Sequence, residues 1–272
     1  MAERPACTSG GGQDGDDDPE WVRLFGLRLR NTTLEQAAEE IVDAAASGLR
    51  QRIAFVNTHC VNVAASDAGY YRALQSADKL YVDGSGMALA ARLAGIDLKD
   101  NVNGTDLFPI LCERAAARGL SIGLLGARPG RAKRCAELIK ERNPSLKVAW
   151  SHHGFFGPAE QDEILAGINA SGTDILLVGM GVPRQDLWLE SVSGAMRPPV
   201  TMGVGALMDF YSGAIRRAPR FLRDLGLEWV FRLALEPVRL FGRYVLGNPR
   251  FVGRILLRRL EGKAALSDKS LW

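Results

Sequence analysis

The sequence is sparing with the residues that build covalent or metal-held frameworks. Its four cysteines, Cys7, Cys60, Cys112 and Cys135, lie far apart, with no C-x-x-C pair among them. That spacing argues against a disulfide framework and a thiolate zinc site, and for a reducing cytosol. The three histidines, His59, His152 and His153, show neither H-x-x-x-H nor H-E-x-x-H spacing, so no metal centre is expected. No apolar run reaches the roughly 18 residues that a bilayer span needs. A basic stretch followed by an apolar core is missing from the N-terminus, so no secretory signal is expected. There is no P-loop Gly-Lys-Ser/Thr and no internal repeat.

What is present is an ordinary globular composition with an uneven charge. The 272 residues are 47% hydrophobic and 24% charged, enough for one large domain or a domain with an appendage. The net charge of +3 hides an asymmetry: residues 214–263 carry eleven arginines and one lysine against Asp224, Glu228, Glu236 and Glu261. That segment is basic and the rest of the chain acidic, which suggests a surface for anions such as an anionic membrane face. Nucleic acid is not expected, because the basic residues alternate with large apolar ones.

Strand and helix signals alternate along the body. Residues 1–19 are rich in Gly, Asp and Ser and read as a disordered, solvated tail that includes Asp16, Asp17 and Asp18. Trp21 to Arg30 alternates like a strand or hairpin, and Thr33 with Gln36 forms a capping box for a helix that Gly48 ends. Strands are expected at Ile53–Val56, Leu80–Val82, Ser121–Leu125, from Val148, at Asp174–Val178 and at Val200–Met202. Helices are expected over Val61–Ala65, Tyr70–Ala77, Met87–Leu93, from Gly104 through Arg118, to Arg142, over 159–170 and through Ser191. This alternation predicts an α/β fold with a doubly wound, mostly parallel, Rossmann-like sheet over residues 20–213. From Ala214 the strands stop, and helical segments punctuated by Pro219, Pro237 and Pro249 form an Arg-rich, membrane-associating appendage over 214–263, with 264–272 as a tail.

Chemistry is expected at the carboxyl ends of the strands, where open α/β sheets bind ligands. Asp83 closes the Leu80–Val82 strand and is followed by Gly84-Ser85-Gly86, so its carboxylate can face a ligand as a general base; Asp-Gly equally favours a helix cap or a turn. Gly126-Ala127-Arg128-Pro129-Gly130 and Gly179-Met180-Gly181-Val182-Pro183-Arg184-Gln185 are two further glycine loops at strand ends. Together the three loops, with Arg128 and Arg184, suit the phosphates of a nucleotide diphosphate. Gln185 and Asn57, at or near strand ends, can bind sugar or phosphate oxygens, or simply make turns. A nicotinamide-dependent Rossmann oxidoreductase is the alternative. Against it, Arg184 stands where the third glycine of G-x-G-x-x-G belongs, and the acidic residue expected about 20 positions on is missing.

The sequence resembles the WecG/TagA/CpsF glycosyltransferases over about residues 22–260. The matching stretches are Phe55-Val56-Asn57-Thr58-His59, Val82-Asp83-Gly84-Ser85-Gly86, Gly104-Thr105-Asp106 and Gly179 through Trp188. The blocks Arg217-Ala218-Pro219, Leu225-Gly226-Leu227-Glu228-Trp229, Arg232-Leu233, Glu236-Pro237-Val238-Arg239 and Arg243-Tyr244 complete them. The resemblance implies inverting transfer from a UDP-sugar, such as an N-acetylmannosamine donor, without metal or cofactor. The implied acceptor is a sugar on undecaprenyl diphosphate, met by a peripheral enzyme on the cytoplasmic face of the cell membrane, with homo-oligomerisation left open. It puts the catalytic base on Asp83 and polar substrate contacts on Asn57 and Gln185; with the strand-end loops, the expected substrate-binding residues are Asn57, Thr58, Gly84, Gly86, Asp106, Gly126, Arg128, Gly179, Gly181 and Gln185. Lipid-diphosphate contacts fall on Arg232, Arg239 and Arg243. Phe55 stands where the family commonly has Thr, and Asn101 where it commonly has Arg.

Overall fold

The computed structural model describes residues 20–261. The expected tails, 1–19 with Cys7 and the three consecutive aspartates, and 264–272, lie outside the described residues, as does Lys263.

The strands are β1 (Trp21–Leu24), β2 (Leu27–Arg30), β3 (Gln51–Val56), β4 (Lys79–Val82), β5 (Ser121–Gly126), β6 (Lys147–His152), β7 (Ile175–Gly179) and β8 (Val200–Gly203). They form one sheet in the order β1-β2-β4-β3-β8-β7-β5-β6. Only the β1–β2 hairpin is antiparallel; the other neighbours run parallel. The fold is therefore α/β with a mostly parallel, Rossmann-like sheet, as the alternation of elements predicts.

Successive strand residues face opposite sides, and two apolar layers result. On one face Ile53, Phe55, Tyr81, Ile122 and Leu124 pack under α1 (Leu34–Ser47), α5 (Gly104–Ala117) and α6 (Arg131–Arg142). On the other, Ala54, Val56, Leu80 and Val82 pack under α2 (Thr58–Ala64), α3 (Ala68–Gln75) and α4 (Ser85–Ala94). The capping box at the start of α1 is present: Thr33 and Gln36 exchange side-chain and backbone bonds, and Gly48 closes the helix at φ 70°.

Three helices begin earlier than their apolar periodicity suggests, α3 at Ala68 because the Asp67 side chain caps it. α2 starts at Thr58 because the Asn57 side-chain oxygen accepts from the backbone N–H groups of His59 and Cys60. α4 starts at Ser85, with Gly84 as its N-cap and no side-chain cap bond. α7 (Gln161–Ala170) follows β6, and α8 (Arg184–Val192) follows β7.

After β8 come α9 (Leu207–Tyr211), α10 (Arg220–Asp224), α11 (Glu228–Leu235), α12 (Pro237–Phe241), a π-turn at Gly242–Leu246, and α13 (Gly247–Glu261). Pro219 caps α10, and Pro237 separates α11 from α12, as expected. Pro249 does not punctuate: it is the third residue of α13, where its missing N–H would have no intrahelical partner anyway. The segment is also bound into the body. Phe251 and Ile255 are buried in the layer beneath α2 and α4, and the Phe251 ring lies 5.5 Å from that of Phe25.

Candidate functional site

The carboxyl ends of β5 and β7 meet at a topological switch, because the chain leaves β5 towards β6 and β7 towards β8. Such points open a crevice for ligands. Here the crevice has a floor of bare backbone. A Cβ on Gly126 would stand 2.4 Å from the Gly179 carbonyl oxygen, and one on Gly179 would stand 2.5 Å from that of Gly205. Gly154, after β6, is within 3.0 Å of Gly126 by the same measure. A side chain on Gly126 or Gly179 would run into backbone, and the Met180 and Met208 side chains pack beside Gly154 and Gly179.

Gln185 ties the loops together. It is 4% exposed, and its side-chain oxygen accepts from the N–H of Gly181 at 3.2 Å and of Gly205 at 3.0 Å. The side chain that could have met a ligand directly thus spends its oxygen on holding two glycine loops together. Arg184 donates to the Phe156 carbonyl at 2.9 Å and lies over the Phe156 ring. Arg128 is exposed on the β5 loop, and Phe155, beside Gly154, exposes 59% of its surface.

Asp83 stands across the sheet, at the end of β4. It does not cap α4; that position belongs to Gly84 at φ 92°, a conformation that favours glycine. The Asp83 N–H donates to the Val56 carbonyl at 2.9 Å, and its carboxylate accepts from the Asn57 side-chain amide at 2.9 Å. The Gly84 N–H in turn donates to the Asn101 side-chain oxygen at 2.6 Å. Asn101 therefore braces the loop carrying the carboxylate. Thr58 presses on the same loop from α2: a Cβ on Gly86 would meet its hydroxyl oxygen at 2.2 Å. Phe55 packs on Tyr81 with ring centroids 5.8 Å apart, and against Gly104 at the start of α5.

Burial pushes the Asp83 carboxyl above its ordinary pKa. The Asn57 bond and the charges of Arg243 and Arg232 oppose that rise, and Asp106 adds to it. Burial, then Arg243, lowers His59 to about 4, so its imidazole is neutral at neutral pH. A carboxylate that prefers its proton, held by one amide and faced by arginines, is suited to taking a proton from a bound hydroxyl.

The C-terminal segment comes close to Asp83. Arg232 lies 5.0 Å from the Phe210 ring centroid, and its Nε and Nη2 are buried without a hydrogen-bond partner; the same holds for Arg243 Nε. Arg239 differs, because Glu236 takes it in a two-bond pair. Asp106 is bound to the segment by Arg217 at 2.7 Å and Arg223 at 3.2 Å, and to its own helix cap by Asn103 at 2.7 Å. Burial alone would raise the Asp106 pKa; the Arg217 and Asn103 bonds outweigh it and leave the group below its ordinary value.

The structure thus gathers Asp83, Asn57, Thr58, Gly84 and Gly86 on one side and Gly126, Gly179, Gly181 and Gln185 on the floor. Arg232 and Arg243 act on Asp83 from the C-terminal segment, whereas Arg239 and Arg128 stand exposed. Sequence reasoning gave no role to Arg217, Arg223, His59 or Gly154. The first two lie in blocks too short and too basic to be told from a solvated face. Among the described residues no group of three His, Cys, Asp or Glu side chains could hold a metal ion, and no helix is long and apolar enough to cross a membrane.

Compared with known protein families, the chain matches the model described as Glycosyl transferase WecG/TagA/CpsF family over residues 22–265.

Proposed function

The chain belongs to the WecG/TagA/CpsF glycosyltransferase family, whose transferases act in cell-surface polysaccharide synthesis, and from that premise we propose an inverting transfer from a UDP-sugar with Asp83 as base. The acceptor is a sugar carried on a polyprenyl diphosphate. The acceptor hydroxyl oxygen attacks the anomeric carbon of the donor from the face opposite UDP. The new C–O bond forms as the bond to the diphosphate oxygen breaks; its electron pair leaves on UDP, and the hydroxyl proton passes to Asp83. A positioned base of this kind contributes about 10²–10⁴-fold.

The observation that carries the reading is the pair of arginines with buried, unpartnered nitrogens facing Asp83. Buried guanidinium N–H groups without acceptors are costly, and a diphosphate supplies acceptors in the geometry that Arg favours. The bare-backbone floor at Gly126, Gly179 and Gly205 supports the same ligand from below, because peptide N–H groups can approach phosphate oxygens closely there. The exposed Phe155 ring at the rim offers a face for the uracil. Such donors stabilise the departing UDP as its charge develops. The nicotinamide alternative has no support in the family match.

The exposed apolar side chains of the C-terminal helices support membrane contact. Phe221, Leu225, Val238, Phe241, Leu256 and Leu257 are each more than half exposed. With Arg239 and Arg250 among them, this face suits the interface of an anionic membrane, at about 1 kcal/mol per basic residue. The decisive experiment is a UDP-release assay over a panel of UDP-sugars with a short-chain polyprenyl-diphosphate-linked sugar. Wild type is expected to release UDP only when both substrates are present, and Asp83→Asn to bind UDP but to release it from the donor about 10²–10⁴-fold more slowly.

A further inference from the structure

Glu228 is the first residue of α11, in a block to which no role has been given. Two residues before it, Gly226 seats the C-terminal segment on the loop of Asp83. The Gly226 carbonyl accepts from the Ser85 hydroxyl at 3.3 Å, and a Cβ on Gly226 would stand 3.1 Å from that of Ser85. Ser85 is itself two residues from Asp83. The chain thereby delivers a second carboxylate to the edge of the same pocket.

That carboxylate is only loosely paired. The nearest cation is Arg217, whose Nε lies 3.8 Å away, beyond hydrogen-bond length, while Arg217 Nη1 is taken by Asp106 at 2.7 Å. The described residues offer Glu228 no hydrogen bond. It is two-thirds withdrawn from solvent, and a withdrawn carboxylate needs donors. A diphosphate cannot supply them, because it brings only acceptors and negative charge. Paired sugar hydroxyls can.

Resting on the transferase reading above, we propose that Glu228 is a second substrate-binding carboxylate, which accepts hydrogen bonds from hydroxyls of the acceptor hexose beside Asp83. The acceptor is assigned in preference to the donor because Glu228 comes from the helices that present the apolar face, the side from which a lipid-borne sugar arrives. The donor's diphosphate has its own partners on the glycine floor and on Arg232 and Arg243. The C-terminal helices then contribute to acceptor recognition.

The groups facing Glu228 are Arg217 and Arg232, which favour its charged form, and Asp106 and Asp83, which oppose it. Burial is the largest influence and leaves its pKa raised. The acceptor should therefore bind best above that pKa, and its KM should climb as the pH falls through it.

The test uses the full chain with UDP-N-acetylmannosamine as donor and a short-chain polyprenyl-diphosphate-linked N-acetylglucosamine as acceptor. If these fail, the UDP-sugar panel supplies the donor. Glu228→Gln should raise the acceptor KM about tenfold or more and leave the affinity for UDP at the wild-type value. It should also flatten the acid-side rise of the acceptor KM, a change that a purely structural role would not produce. Glu228→Asp, which keeps the charge, should recover part of the KM. Arg217→Gln serves as the control for a lost latch. An acceptor KM unchanged in Glu228→Gln, or a loss that only tracks a lowered Tm shared with Arg217→Gln, overturns the inference alone. Failure of wild type to transfer from any UDP-sugar overturns the transferase reading and this inference with it.

Discussion

Arginine is used in two ways in the two regions of this molecule. In the α/β body, Arg114 pairs with Glu35 and Glu39, Arg118 with Glu39 and Asp43, and Arg131 with Asp209. Arg30 is held by Glu40 at 2.7 Å. These cations have found their anions within the fold. In the C-terminal segment Arg217, Arg223 and Arg239 are paired with carboxylates too, but Arg232 and Arg243, whose charges act on Asp83, keep buried nitrogens without partners. The first group helps to assemble the body. On the proposed reading, the second group meets the diphosphate of a bound substrate.

Removing the base breaks the comparison hardest. Asp83→Asn should lower transfer by about 10²–10⁴-fold while UDP still raises the melting temperature; wild-type turnover in this variant would end the assignment. Because burial raises the Asp83 pKa, the acid limb of kcat should lie above the ordinary carboxylate range, with activity rising with pH as Asp83 loses its proton.

Next comes the contrast itself. Arg232→Ala or Arg243→Ala should weaken UDP binding by about 10–100-fold by calorimetry. Arg118→Ala, which loses only an exposed pair, should leave both binding and Tm near wild type. Equal losses from all three would mean that the unpartnered nitrogens have no special role.

Asp186 gives a smaller effect, confined to stability. It is 3% exposed on α8, beside Gln185, and burial lifts its pKa to about 7. Since the folded value is raised, the stability linked to its proton is complete below the unfolded value near 4 and is lost as the pH rises through about 7. Asp186→Asn should therefore gain up to about 4 kcal/mol over wild type at pH 8, about 1–2 kcal/mol at pH 5 and little at pH 3, read by urea unfolding. A loss at pH 8 would show that the charged form is the one the fold needs.

The gentlest change concerns the apolar face. Val238→Glu, at a position 95% exposed, should leave Tm unchanged and reduce flotation with anionic vesicles, at a cost of about 1–2 kcal/mol of surface binding. Unchanged flotation would remove Val238 from the membrane contact.

Much of this was legible in the sequence. Alternating apolar runs and glycine loops marked the sheet, and the position of Asp83 at a strand end marked the carboxylate. Local signals stop at the distance of a few residues, and that is where the reading stopped. Nothing near Asn57 says that its amide both caps α2 and holds Asp83, because the two partners are brought together by the β3–β4 pairing. Gln185 looked free to bind a ligand until the fold brought Gly205 to it. Periodicity likewise could not divide the arginines of 214–263 into paired and unpartnered ones, since the division depends on which carboxylates the body presents to them.

The most direct measurement is a crystal structure of the full chain with UDP. The account predicts the diphosphate between the Gly126–Gly179–Gly205 floor and the guanidinium groups of Arg232 and Arg243, with Asp83 facing the open side of the β-phosphate. A diphosphate bound at the amino ends of the strands, or against the paired arginines of the body, would contradict it.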